Sequence, residues 1–522
     1  MQKRTSIVLV VMLMITGGVS AESASTRLPL SADQLARRID QMIEAKWGPE
    51  VKPAPLAEDA AFFRRISLDL NGRIPTITSL TDFLDDRRPN KRVIWVDKLM
   101  DGTDPDFKLV HPEFRQRYVE HFANVWQHWL LSRYETPGRG TGEWLRVWLS
   151  HQLKNNTSYD RMVRRMLADN VILSALSVAN AELPAQLTAN TSRLFLGIKL
   201  ECAQCHDDRS GGNWTREQFW EFAAFFSEIR SAFAQRPSTS PPRIKIEGKD
   251  KMVEARFLDG AKPSWKSRKP AHIVLAEWMT SRDNLYFARA AVNRYWHYFF
   301  GIGLVDPIDF MEIESNPPSH PELLEELAYQ FKAHDFDVKY LIRAITATKA
   351  YQRSSELTDD SQKNPLLYAR MLPRGLSANQ LLDSLITATG APEPPPRRPN
   401  EPQNQEGVLE FLDNFSNNID RRTELPTSIM QALYMMNSSW VQETMHVPGG
   451  SLDVVVNAGP KVNTERRIRD LYLVTLSRKP RPEELKRLVS YVDSGGAAGD
   501  RKKALADVFW ALLNSTEFFV NH

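Results

Sequence analysis

The chain has 522 residues, enough for two or three domains, and its 42% hydrophobic and 25% charged content is that of a folded globular protein. A formal net charge of +3, without a basic block, excludes the concentrated cationic face of a nucleic-acid binder. Two cysteines in all exclude a scaffold braced by several disulfides.

Residues 1–21 have the pattern of a secretory signal: Lys3 and Arg4, an apolar run over 6–15, then the small residues Val19, Ser20 and Ala21 before a cut ahead of Glu22. The apolar run is short for a bilayer, and no later stretch reaches about 18 apolar residues. The expectation is an exported protein of the periplasm or cell surface, with no membrane span in the mature chain. Cleavage removes Lys3 and Arg4 and takes the net charge from +3 to +1.

Helical spacing follows in chain order. Residues 31–47 put Leu35, Ile39, Met42 and Ile43 on one face behind a Ser31/Gln34 capping box. Residues 112–134 align Phe122, Val125, Trp126, Trp129 and Leu130, and another helix begins at Ser158 with Met162 and Met166 as core fillers. Thr215 and Gln218 cap a helix rich in Phe219, Trp220, Phe222 and Phe226. Residues 233–270 change character: a Pro- and Ser-rich loop, then apolar–charged alternation over 243–258 around Gly248, as in a small β-hairpin. Helices are expected again at 319–331, 338–350, 376–389, 464–477, 481–493 and 501–518, with a Pro-rich exposed loop over 391–407. The fold class is therefore mainly α. Two helical domains, 30–232 and 271–522, are joined by a 233–270 segment carrying the hairpin.

One motif carries chemistry: Cys202-Ala203-Gln204-Cys205-His206. Two residues between the thiols let one turn present both sulfurs to the same edge of a porphyrin, and the adjacent imidazole then reaches the iron. Cys202 and Cys205 are the candidate anchors of one covalent haem c, and His206 the proximal ligand. A disulfide, or two positions of a metal site completed from elsewhere, stand as alternatives. His121 and His128 lie seven apart on one helix face. Both fit helix histidines satisfied by neighbours, and His128 is the better candidate for a distal iron ligand. The glycine loop at 138–142 follows no strand and does not suit a phosphate, and no hydrolase or nucleotide motif is present. The functional expectation is single-electron transfer or haem-based redox chemistry in the cell envelope, with a redox partner protein. The alternative is a non-catalytic envelope protein whose cysteines form a disulfide.

From about residue 34 onward the chain resembles the paired cytochrome-associated domains of unknown function found in exported planctomycete proteins. The first domain does so through residues 63–72 (FRRISLDLNG), His128-Trp129-Leu130, residues 158–161 (SYDR), and Phe195-Leu196-Gly197 leading into the Cys202–Asp207 motif. The second resembles the usual companion domain through residues 292–297 (VNRYWH), 300–305 (FGIGLV), 319–324 (SHPELL), 351–355 (YQRSS), 431–433 (QAL) and 511–518 (ALLNSTEF). The resemblance implies a cytochrome-like envelope protein, with no established activity. It departs from the family pattern at Asp208, where a second histidine is usual, and at Leu131, where an acidic residue is usual.

Overall fold

The computed structural model describes residues 28–104, 106, 110–131, 141–169, 171, 183–208, 214–229, 240–265, 269–311, 316–394, 406–415 and 429–522. The signal segment, the start of the glycine loop and most of the Pro-rich stretch lie outside them. Capping chemistry sets the first helix, Ala32–Glu44: the Gln34 amide donates to Ser31 Oγ at 3.3 Å, and the Ser31 amide donates to Gln34 Oε1 at 2.9 Å. The same reciprocal box opens Arg216–Ala223 at Thr215 and Ala378–Thr389 at Ser377. Helices Pro112–Leu131, Tyr159–Ala168, Pro321–Ala333, Thr464–Leu476 and Pro482–Asp493 form where spacing predicts them, and the fold is mainly α.

Two expected helices differ. The one over 338–350 breaks into Val338–Thr346 and Lys349–Gln352. Thr348 caps the second piece through Tyr351 N, and the Asp40 carboxylate takes the Lys349 and Ala350 amides at 2.9 and 3.2 Å. The last helix, Arg501–Leu513, stops short of 518, and Val520–Asn521 pairs with Arg374–Gly375 as a two-stranded antiparallel sheet. The hairpin is present, Arg243–Lys245 against Met252–Glu254, with Ile244 opposite Val253.

Helix Asp59–Asn71 had no amphipathic signal because it has no solvent face: Phe62 through Asn71 are all buried. It lies between two cores. The larger core gathers apolar residues from Leu35 to Met371, including Phe62, Phe63, Phe122, Trp126, Tyr159, Phe287, Tyr295 and Phe331. The smaller gathers Leu381 through Phe518 and takes in Leu68 and Ile74 from this helix region. The charges of the helix hold the molecule together. Asp69, fully buried, accepts from Arg374 Nη2 (2.8 Å), Tyr351 Oη (2.7 Å) and Asn521 Nδ2 (2.8 Å). Arg64 donates to the Thr475 carbonyl at 2.9 Å, and Arg65 to the carbonyls of Tyr351 and His522.

Candidate functional site

The segment leading to the cysteines is fixed before it reaches them. Helix Leu183–Thr191 runs into a π-turn, Ser192–Leu196, which ends at Gly197. Gly197 has φ +68°, and a Cβ there would lie 2.5 Å from Met311 Sδ, so only glycine lets the two segments approach. Its carbonyl accepts from Met311 N at 3.0 Å, and Ile198 bridges Phe310. The chain then forms the 3₁₀ turn Glu201–Gln204, with Ala203 buried beneath it.

Cys202 is half-buried, whereas Cys205 and His206 are exposed. The turn is pinned from helix Arg216–Ala223. Trp220 Nε1 and Arg216 Nε both donate to the Gln204 carbonyl at 3.1 Å, and the Arg216 amide donates to Asp207 Oδ1 at 2.8 Å. Asp208 N donates to the Trp214 carbonyl at 2.7 Å. Asp207 therefore anchors the turn as well as bordering it.

His206 Nδ1 lies 2.9 Å from the Asp207 carbonyl oxygen. A carbonyl only accepts, so Nδ1 donates, and in the neutral ring Nε2 is the nitrogen that carries the lone pair, on an exposed side chain. That is the tautomer a metal-bound imidazole needs, with its other nitrogen held by a backbone carbonyl. The donor set thus fits a c-type haem: two unbridged thiols and one oriented imidazole within a single surface turn.

Both cysteines are free thiols. The expected alternative of a disulfide is corrected: the pair is not bonded. Among the described residues no group of three or more His, Cys, Asp or Glu side chains is placed to hold a metal ion.

His128 is exposed on helix Pro112–Leu131, next to Trp129, whose ring meets Tyr295 edge-on. The sequence motif groups the other three residues within one turn, but His128 belongs to a separate element. His121, its partner on that face, is buried with Nε2 2.7 Å from Tyr298 Oη; Tyr298 donates its own hydrogen to the Asp69 carbonyl, so His121 donates. It is a satisfied helix histidine. Met162 and Met166 are buried in the larger core, as is Leu131.

Behind the turn lies a buried ionic network that spacing did not reveal. Arg193 and Arg294 share Asp309 at 3.1 and 2.8 Å, and Arg294 also donates to the Arg193 carbonyl. Arg193 Nε stands 4.0 Å from Glu201 Oε1, one residue before Cys202, and Arg294 lies over the Trp129 ring. The only signal in the sequence was an arginine inside the aromatic run 292–300, and its partners are distant in the chain.

Fold and site together define a helical protein whose Cys-x-x-Cys-His turn is held at the surface by a companion segment. Residues 38–180 and 173–231 match the family model PSCyt2, a protein of unknown function (DUF1549), and residues 272–492 match PSD1, a protein of unknown function (DUF1553). The two matches cover most of the chain, and the protein belongs to this paired PSCyt2–PSD1 family. No curated protein and no solved structure matches it.

Proposed function

We propose that this is an exported c-type haem protein of the cell envelope that passes single electrons to or from a redox partner. The observation that carries this function is the orientation of His206, Nδ1 on the Asp207 carbonyl and Nε2 open, beside two free thiols on a pinned turn. When bound, the haem would supply one-electron redox chemistry. Cys202 and Cys205 would hold the group through two thioether bonds, each S–H adding across one vinyl group. His206 Nε2 would be the iron ligand, with the Asp207 carbonyl holding the ring through Nδ1. The exposure of Cys205 and His206 suits a group whose edge meets a partner protein. His128 is offered as the distal ligand.

Expression in a host that attaches haem c tests this. The expected product carries a Soret band and gains roughly 616 Da by mass, both lost in the Cys202→Ala/Cys205→Ala double variant. A purified protein of unmodified mass without a Soret band overturns it. A high-spin spectrum, unchanged in His128→Ala, removes His128 from the ligand set.

A further inference from the structure

Away from the cysteine turn, the seam between the two family segments carries a second cluster. Arg73 follows helix Asp59–Asn71, Arg117 and Glu120 stand on helix Pro112–Leu131, and Asp383 and Thr387 stand on helix Ala378–Thr389. Both guanidiniums converge on one oxygen, Glu393 Oε1: Arg73 Nη2 at 3.0 Å and Arg117 Nη2 in a closer contact. Arg73 Nη1 lies 3.4 Å from Thr387 Oγ1, and Arg117 Nη1 lies 3.1 Å from Glu120 Oε2. Arg73 Nε is buried and has no hydrogen-bond partner among the described residues. Beneath them the half-buried Asp383 carboxylate receives no hydrogen bond or ion pair among the described residues.

Two guanidiniums placed side by side, each partly desolvated, need an anion between them. The anion present is a side chain that is itself half exposed and stands on residues 391–394, just after the helix rather than within it. Glu393 has the properties of a displaceable occupant. We propose that Arg73 and Arg117 form a binding site for the carboxylate of an acidic ligand, and that Glu393 fills it in cis as a competitor.

The charges favour a monoanion. Arg73 and Arg117 contribute two positive charges; Glu120 offsets one, and desolvation pushes the Asp383 carboxyl up to about 6, with Glu120 raising it and both arginines opposing. With Asp383 protonated and Glu393 displaced, one positive charge remains, and the Asp383 hydroxyl adds a hydrogen-bond donor, whereas the Thr387 hydroxyl already donates to the Asp383 backbone carbonyl at 2.7 Å. A dianion would meet Glu120 uncompensated. Because the free site gains positive charge as Asp383 takes its proton, binding should strengthen as pH falls through about 6.

Calorimetric titration with galacturonate, galactose and inorganic phosphate tests the site on the full chain at pH 5 and pH 8. Glu393→Gln should bind galacturonate at least tenfold more tightly than the unaltered protein, more tightly at pH 5 than at pH 8, and more tightly than phosphate at pH 8, where phosphate is mostly a dianion; galactose should not bind. Adding Arg117→Gln should remove the gain. Should that variant fail to fold, Arg117→Lys keeps the charge without the guanidinium fork and should lose most of the gain. Equal galacturonate affinity with and without Arg117, tighter phosphate binding, or no difference between galacturonate and galactose overturns the proposal.

Discussion

At the scale of single residues, Asp69 decides more than its position in the sequence suggests. It and Arg374 are both fully shielded from solvent, so their ion pair is held by hydrogen bonds from Tyr351 and Asn521 rather than by water. Removing one partner of such a pair leaves an uncompensated buried charge and costs about 3–5 kcal/mol. Arg374→Met should lose that much stability in urea unfolding, and Asp69→Asn/Arg374→Met should recover part of it; a loss below 1 kcal/mol would show that the pair does not hold the fold. None of this was visible beforehand, because Arg64, Arg65 and Asp69 read as ordinary polar residues until partners hundreds of positions away are known. The cysteine turn was legible for the opposite reason: its thiols and imidazole lie within five consecutive residues.

At the scale of elements, local signals worked where local chemistry decides. Ser31, Thr215 and Ser377 announce their helices because the cap and its reciprocal glutamine are three residues apart. Helix Asp59–Asn71 escaped because periodicity needs a wet face, and the break at 347–348 escaped because Asp40, far upstream, recaps the chain there. The approach of the π-turn to Met311 belongs to this scale as well. Gly197→Val puts a branched side chain at φ +68° and against Met311 Sδ, and should destabilise by about 1–3 kcal/mol in thermal unfolding. It should also speed labelling of Cys205 by a thiol reagent as the turn loosens. An unchanged melting point and labelling rate would mean that the glycine does not set the turn.

Across the whole molecule, stability should depend on acidity. Burial pushes the His272 and His320 imidazoles down to about 4, against about 6.5 in an unfolded chain. Between those values the unfolded chain binds protons that the native protein refuses. These two rings contribute stability that is full above about 6.5 and is lost as pH drops toward 4, by up to about 1.4 kcal/mol per pH unit for each, a fall that the raised Asp383 carboxyl opposes in part. Urea midpoints at pH 7.5 and 4.5 measure the fall, and His272→Gln should make it shallower; a flat profile would contradict the burial of these rings. Helical spacing and the change of composition over 233–270 point to two helical domains joined by that segment, while the packing between them has no local signal. The apolar packing is continuous from Leu35 to Met371, and such continuity depends on side chains that meet only in three dimensions.

The separation of the contacts around helix Asp59–Asn71 has a kinetic consequence. Asp69 meets Arg374 across 305 positions and Asn521 across 452, and Arg64 meets Thr475 across 411. Loops of that size lose entropy on closing before any contact repays it. A growing polypeptide must keep these charges hydrated until residues 374–521 have been synthesised. Maturation is therefore a late, cooperative event, and unfinished chains remain open to chaperones and proteases.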